Sequence, residues 1–273
     1  MKPVVLSARL QAVAAMVTVG NRVCDVGCDH GFVPVYLVEQ GISPTVLAMD
    51  VRSGPLSAAK EHIAERGLGH IIETRLSDGL HNYNIGESDT LICAGMGGRL
   101  MIRILSDNQV KTESFRELIL QPQSEIEQFR AWLREQGYCI TDENMIEEDG
   151  KFYPMMRVET DLDQDASRCN GALLQDSHVY DEWLHNIFEN NTCNLTTKDM
   201  LCKLVDRYGP LLLARRNSTL ANYLKREERI YDEILSELQA RGLSDNKRKN
   251  RYEEVRVLLE DCRKALDIVT VDK

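Results

Sequence analysis

The sequence lacks any apolar run that approaches the roughly 20 residues needed to cross a bilayer. The apolar part of its N-terminal segment is too short for a secretory signal. Hydrophobic residues make up 43% of the chain and charged residues 28%, which is ordinary for a soluble globular protein. We therefore expect a cytoplasmic protein with no membrane partner.

A metal-binding cysteine pattern is also missing. The eight cysteines include no CxxC pair, and no second Cys/His pair follows Cys24 and Cys28 at zinc-finger spacing. We expect free thiols in a reducing compartment and no bound metal.

Basic residues are fewer than acidic residues, and the net charge is −10. Residues 141–197 carry this whole excess of acidic side chains, and residues 198–264 are net basic. The acidic stretch is unsuited to face RNA, but the remaining surface can still bind it.

Apolar runs alternate with helical spacing from residue 7 to residue 136, which predicts parallel βαβ units. Strands are predicted at 22–26, 45–49, 71–76, 90–93 and 117–120, and helices at 7–18, 32–40, 53–66, 98–105 and 125–136. Ser53 and Ser124 are predicted to cap two of these helices. A hairpin of 138–148 and 151–159 around Asp149-Gly150 completes an α/β fold with a seven-stranded mixed sheet. Ligands bind such sheets at the carboxyl ends of the strands.

The strand pattern stops near residue 160. Residues 161–200 are polar and acidic, with one helical stretch near 180–188, and from residue 204 two long amphipathic helices are separated by a break at 242–246. This pattern predicts an antiparallel helical hairpin or short coiled coil. We expect a ligand-binding α/β domain at 1–160, an acidic insertion or linker at 161–200 and a helical coiled-coil domain at 201–273.

The strongest local signal is Asp25-Val26-Gly27-Cys28-Asp29-His30-Gly31, between the first strand and its helix. Nicotinamide- and flavin-binding folds use G-x-G-x-x-G here, and that pattern is absent. The two aspartates would repel a pyrophosphate but suit a cofactor that carries an ammonium and a sulfonium group. This contrast favours S-adenosyl-L-methionine over NAD or FAD.

Polar residues also end the next two strands. Asp50, followed by Val51, can accept hydrogen bonds from both ribose hydroxyls of a bound nucleoside. Asp78 in the Ser77-Asp78-Gly79 segment can bind the adenine amino group, or the segment is a simple turn.

Small residues and amides follow the fourth and fifth strands. Ala94-Gly95-Met96-Gly97-Gly98 keeps side chains away from the point where donor and acceptor meet. The Gln121-Pro122-Gln123 amides either contact a target base or make a turn before Ser124.

Together these segments resemble the bacterial tRNA adenine-22 N1-methyltransferases. The resemblance covers residues 5–160, including the hairpin at 147–153, and resumes at 208–211. It implies a Rossmann-like class I methyltransferase domain followed by a coiled-coil domain, and N1 of tRNA adenine 22 as the methyl acceptor. Two departures are the 161–200 segment and Pro154-Met155 after Tyr153, where the family pattern has a glutamate.

Site residues are assigned on this combined basis. We expect the cofactor to contact Asp25, Gly27, Cys28, Asp29, His30, Gly31, Asp50, Val51, Ser77, Asp78, Gly79, Ala94, Gly95 and Met96. We expect the tRNA to contact Arg9, Gly97, Gly98, Gln121, Pro122, Tyr153, Lys247, Arg248 and Lys249.

Asp29 is the candidate catalytic residue, as a proton acceptor for the cationic product, with His30 a weaker candidate. The alternative for Asp29 is a purely structural or cofactor-binding role. The Lys247-Arg248-Lys249 cluster is either a phosphate contact or a solvated helix face, because Glu253 and Glu254 follow it closely.

Two other functions fit the same sequence. One is methylation of a protein or small molecule, and the other is tRNA binding by a non-catalytic relative of the fold. The sequence leaves the oligomeric state open, with a monomer favoured.

Overall fold

The computed structural model describes residues 3–160, 198–242 and 245–270. The chain divides into two compact units between Tyr180 and Asp181. That point, the expected helix near 180–188 and most of the 161–200 segment lie outside the described residues. The domain limits at 160 and 200 therefore stay a prediction.

The first unit is a seven-stranded mixed sheet with helices on both faces. Its strands are β1 (Val23–Val26), β2 (Val46–Asp50), β3 (Ile72–Leu76), β4 (Thr90–Gly97), β5 (Glu117–Ser124), β6 (Cys139–Glu148) and β7 (Lys151–Glu159). Its helices are α1 (Ala8–Ala15), α2 (Phe32–Glu39), α3 (Ser53–Glu65), α4 (Gly98–Asp107), α5 (Gln109–Thr112) and α6 (Ile126–Glu135).

The strand order is β3-β2-β1-β4-β5-β7-β6, with β1 to β5 parallel and the β6–β7 hairpin antiparallel. The chain moves outward from β1 to β3 and then returns to place β4 on the other side of β1. This reversal is the switch point at which open α/β sheets bind ligands.

Two apolar clusters fill the two faces of the sheet. One includes Val13, Leu37 and Ile63 from α1 to α3, and the other includes Leu105 and Phe129 from α4 and α6. Strands β1, β2 and the first half of β4 are buried on both faces, which explains their continuous apolar sequence.

Strands β4 and β5 are both longer than the sequence predicted. Residues 94–97, which the sequence predicts to follow the fourth strand, are the second half of β4, where the pairing with β5 shifts register around Gly95. The Gln121–Gln123 segment likewise lies inside β5. A bulge of this kind bends the strand without ending it, so the predicted strand ends at residues 93 and 120 are too early.

The two predicted serine caps are wrong. Helix α3 starts at Ser53 itself, and Arg52 holds the N-cap position without a side-chain bond. Helix α6 has Glu125 at its N-cap, at φ 48°, and the Ser124 hydroxyl donates to the Glu125 carboxylate at 2.6 Å. The hairpin turn is confirmed, since Asp149 and Gly150 both have the positive φ that a tight turn requires.

The second unit is helical. Its described helices are α7 (Lys198–Tyr208), α8 (Pro210–Ala214), α9 (Ser218–Ala240) and α10 (Asn246–Thr270). Asn217 caps α9 by accepting a hydrogen bond from the Leu220 amide at 2.9 Å.

Helices α9 and α10 form the predicted antiparallel hairpin. The Cys262 thiol lies 3.3 Å from the Leu224 carbonyl, whereas Gln239 donates to the Tyr252 hydroxyl at 2.8 Å, so the two helices run in opposite directions. Leu235, Val255 and Leu259 pack between them. Among the residues that the structure describes, no helix is both long and apolar enough to cross a membrane.

Candidate active site

A cavity of about 690 Å³ lies at the carboxyl ends of β1 to β5. The ends of β1 and β2 contribute Asp25 and Asp50, the loop after β3 contributes Asp78, and β4 and β5 contribute Gly95 and Gln123. The switch point of the sheet therefore brings together segments that are far apart in sequence.

The loop after β1 leaves room for a ligand because it has a glycine at position 27. The Gly27 and Cys28 amides donate to the Met49 carbonyl at 2.8 and 3.0 Å, which fixes the loop against β2. Gly27 has φ +79°, and a Cβ there would lie 2.1 Å from the Met96 Cε. A larger residue would be strained and would push Met96 out of its position in the cavity wall.

Asp50 holds the other side of this loop. Its carboxylate accepts hydrogen bonds from the Asp29 amide at 3.3 Å and the Arg52 amide at 2.8 Å. Asp29 has φ 48°, a conformation that aspartate adopts more readily than most residues. The Asp29 carboxylate is exposed and lies 3.8 Å from both the His30 ring and the Arg52 guanidinium.

Asp25 is a buried acid that faces the cavity. Its side chain forms no ion pair with any described residue, and Asp50 is a second buried carboxylate nearby. Burial, followed by repulsion from Asp50, raises the pKa of Asp25 to about 7. A cationic ligand would relieve this unbalanced negative charge, whereas a pyrophosphate would increase it.

In the segment after β3, Ser77 stabilises the turn and Asp78 faces the cavity. The Ser77 hydroxyl donates to the Gly79 carbonyl at 2.8 Å and accepts from the Asn82 amide at 3.0 Å, so it closes the turn. Asp78 lines the cavity and pairs with Arg103 at 3.1 Å.

Arg9 closes the opposite side. Its Nη1 donates to the Gln121 Oε1 at 2.8 Å, and its guanidinium carbon lies 5.5 Å from the centre of the Tyr153 ring. The same Gln121 oxygen accepts the Gly95 amide at 3.2 Å. Helix α1, β4, β5 and β7 are thereby joined at one wall of the cavity.

Most of the residues predicted to bind the cofactor lie around this one cavity. Its walls include Asp25, Gly27, Cys28, Asp29, Asp50, Val51, Ser77, Asp78, Gly79, Ala94, Gly95 and Met96. His30 and Gly31 are not among them. Gly31 instead allows close packing, since a Cβ there would lie 3.1 Å from the Ala59 Cβ on α3.

Several residues predicted to contact the tRNA do not line the cavity. Gln121 and Pro122 are buried in β5 and do not line the cavity. A Cβ on Gly98 would lie 2.7 Å from the Ser124 carbonyl, and one on Gly97 would lie 2.9 Å from the Ser124 hydroxyl. These glycines permit tight packing against β5. Tyr153 lies beneath Arg9 and outside the cavity wall.

Other lining residues were not assigned from the sequence. Phe32, Arg52, Leu100, Arg103 and Gln123 also line the cavity. Gln123 was within reach of sequence reasoning, because it belongs to the Gln121–Gln123 segment already considered for base contact.

The remaining predicted tRNA contacts are on the second unit. Lys247, Arg248 and Lys249 are exposed in the first turns of α10. Arg248 pairs with Asp245 at 3.4 Å, while Lys247 and Lys249 have no ion-pair partner among the described residues.

Comparison with known proteins agrees with this geometry. A methyltransferase-domain family model matches residues 6–156. The Bacillus subtilis tRNA (adenine(22)-N(1))-methyltransferase is 37% identical over 162 residues, which are 59% of this chain and 68% of the relative. A Mycoplasma pneumoniae tRNA methyltransferase homologue is 29% identical over 193 residues, which are 71% of this chain and 83% of the relative.

Solved structures resemble the chain over nearly all of its length. The crystal structure of the B. subtilis M1A22 tRNA methyltransferase TrmK has a TM-score of 0.74 and 26% identity, covering 96% of this chain and 99% of its own. Streptococcus pneumoniae Sp1610 in complex with S-adenosyl-L-methionine has a TM-score of 0.72 and 26% identity, covering 96% and 100%.

The seven-stranded sheet and its acidic cavity thus define a Rossmann-like class I methyltransferase. Within that class, the chain belongs to the family of bacterial tRNA (adenine-22-N1)-methyltransferases.

Proposed function

We propose that this protein transfers a methyl group from S-adenosyl-L-methionine to N1 of an adenine in tRNA, at position 22. The observation that carries the proposal is the buried carboxylate of Asp25, which has no ion-pair partner among the described residues, at the switch point of a methyltransferase sheet. The buried Asp50 nearby adds further negative charge, which the exposed Arg52 guanidinium at 3.7 Å partly offsets. The relationship to the B. subtilis enzyme supports the acceptor atom and the position.

The residues present fit this cofactor. Asp25 and Asp29 supply negative charge for its cationic amino-acid part, Asp50 can accept hydrogen bonds from the ribose hydroxyls, and Asp78 can bind the adenine amino group. Gly27 and Gly95 leave the space that the ligand needs.

When bound, the cofactor supplies a methyl group on sulfur: the N1 lone pair forms the new N–C bond, and the electron pair of the broken C–S bond stays on sulfur. The protein's task is to hold the acceptor in line with that group. N1 lies on the Watson–Crick edge, so the base must be unpaired and turned into the cavity.

The methylated base is cationic until it loses a proton from its exocyclic amino group. The Asp29 carboxylate lines the cavity and is solvent-exposed, so it can accept that proton and pass it to water. The Cys28 thiol has its pKa raised well above its usual value by burial and by Asp25, so it remains protonated.

Docking of the tRNA is assigned to the start of α10. Cations near a helix N-terminus are disfavoured by the helix dipole, and Lys247, Arg248 and Lys249 all occupy that end. Binding of phosphate groups would compensate for this cost and supply affinity that is independent of base sequence. A tRNA substrate would also place the protein in the cytoplasm.

In the experiment, the purified protein is incubated with S-adenosyl-L-methionine that carries a labelled methyl group. Three acceptor pools are supplied: unmodified tRNA, cell protein and small molecules. We expect label in tRNA alone. Label in protein or small molecules would contradict the proposed acceptor. Cofactor binding without transfer to any pool would favour a non-catalytic tRNA-binding protein.

A further inference from the structure

Among the residues that the structure describes, Gln123 is the one side-chain amide that lines the cavity. It is exposed, it lines the cavity, and its side chain makes no hydrogen bond within the described part of the chain. Its Nε2 lies 3.8 Å from the point where a Cβ on Gly95 would stand. The amide therefore borders the space beside the β4 bulge.

Gln121 is the contrasting case, two residues earlier on the same strand. It is fully buried, its Oε1 accepts both the Arg9 guanidinium and the Gly95 amide, and its Nε2 donates to the Pro122 carbonyl at 3.1 Å. With these bonds made, Gln121 shapes the wall. Gln123 keeps both its donor and its acceptor for a ligand.

We propose that Gln123 recognises the acceptor adenine through its N6 amino group and N7. An amide pairs with this edge in two parallel hydrogen bonds, with Oε1 accepting from N6 and Nε2 donating to N7. This arrangement leaves the N1 lone pair free to react. The inference rests on the proposed function and names the residue that selects the base.

Arg9, the other hydrogen-bond donor at this wall, is less suited to recognise the acceptor adenine. A guanidinium pairs best with the two acceptors of guanine, and a bond to adenine N1 would block the reacting lone pair. The Arg9 Nη1 already donates a hydrogen bond to the Gln121 Oε1.

The proposed contact also gains strength during the reaction. As N1 takes the methyl group, positive charge spreads to N6 and makes its N–H a better donor to Gln123 Oε1. An interaction that is stronger in the transition state than in the ground state increases turnover.

The test combines a substitution in the protein with the removal of one atom from the RNA. One tRNA carries adenosine and the other 7-deazaadenosine at the acceptor position, and kcat/KM is measured for the unaltered protein and for Gln123→Ala. We expect the unaltered protein to lose roughly tenfold on the 7-deaza tRNA, as for one hydrogen bond. We expect Gln123→Ala to lose at least about tenfold on normal tRNA and to be insensitive to the 7-deaza change.

Gln128→Ala is the matched control, because Gln128 is an exposed amide on α6 that does not line the cavity. It is expected to show the same ratio between the two tRNAs as the unaltered protein. Cofactor affinity of Gln123→Ala is expected to be unchanged, which confirms its folding.

Equal activity of the unaltered protein on both tRNAs would overturn the inference. So would an equal 7-deaza effect in the unaltered protein and Gln123→Ala. Absence of any transfer by the unaltered protein to normal tRNA would contradict the proposed function itself, and would be seen before the comparison is made.

Discussion

The buried carboxylate of Asp50 fixes the backbone of Asp29, since its Oδ2 accepts the Asp29 amide at 3.3 Å. Its other oxygen accepts the Arg52 amide at 2.8 Å. One side chain at the end of β2 thus sets the shape of the loop after β1 and the start of α3. Under the proposed function, the cofactor contact of Asp50 and the position of the proposed proton acceptor therefore depend on the same residue.

We predict that Asp50→Asn weakens both the fold and cofactor binding. An amide has one acceptor oxygen, so one of the two backbone N–H groups would face an NH₂ group. The free energy of unfolding is expected to fall by about 1–3 kcal/mol, and the cofactor Kd to rise at least tenfold. Chemical denaturation and calorimetric titration measure the two quantities. Asp107→Asn, at an exposed position on α4, is expected to change neither.

Cofactor affinity is predicted to depend on pH through Asp25. The pKa of Asp25 is raised to about 7, so the acid is neutral below that pH and attracts a cation only above it. Affinity is expected to fall by up to about tenfold per pH unit as the pH drops from 7 to 5.5. In Asp25→Asn, cofactor affinity is expected to be nearly independent of pH over this range. A pH dependence that persists in this variant would show that another group is responsible.

The same shift predicts the pH dependence of the unliganded protein's stability. The pKa of Asp25 is higher in the folded state than the ordinary 3.8, so folding binds a proton in this range. Its contribution to stability is lost as the pH rises from about 4 through 7. Unfolding measured with and without the cofactor is expected to show stabilisation by the ligand that grows with pH over this window.

Asp29→Asn separates catalysis from loop structure. Asparagine also tolerates the positive φ at this position, so the loop is expected to keep its shape. The cofactor Kd is expected to rise only a few-fold, because the lost carboxylate is exposed and screened by water. Loss of the carboxylate is expected to lower kcat at least tenfold. An unchanged kcat would show that Asp29 is not the proton acceptor and would leave it a structural or cofactor-binding role.

Charge reversal at Lys247 and Lys249 is predicted to raise the KM for tRNA and to leave the cofactor Kd unchanged. Fewer phosphate contacts would also make tRNA affinity less sensitive to salt. Lys60→Glu on α3 supplies the control, because it changes the charge of an exposed lysine that does not line the cavity. A tRNA KM equal to that of the unaltered protein would remove these lysines from the docking surface.

Much of the fold follows from sequence pattern alone. Apolar runs gave the order of strands and helices, and Asp149-Gly150 gave the hairpin turn. The lengths of β4 and β5 did not follow, because the bulge around Gly95 depends on pairing between the two strands. Caps such as that of α3 were also misplaced, because the Arg52 amide finds its acceptor on Asp50 in the preceding strand end rather than on a local serine.

The cavity residues at the ends of β1 and β2 follow from the sequence more readily than the cavity residue on β5. Asp25, Gly27 and Asp50 each end a strand or open a loop, so topology alone brings them together. Gln121 and Gln123 have the same chemistry and neighbouring positions, and only packing shows that the first is buried and the second is free to meet a ligand.

The central claim is tested most directly by identifying the methylated nucleoside. Unmodified tRNA is incubated with the protein and S-adenosyl-L-methionine, digested to nucleosides and separated by chromatography with mass detection. The account predicts 1-methyladenosine, and its loss when adenine 22 is replaced. Methylation of another atom or another nucleoside would contradict it.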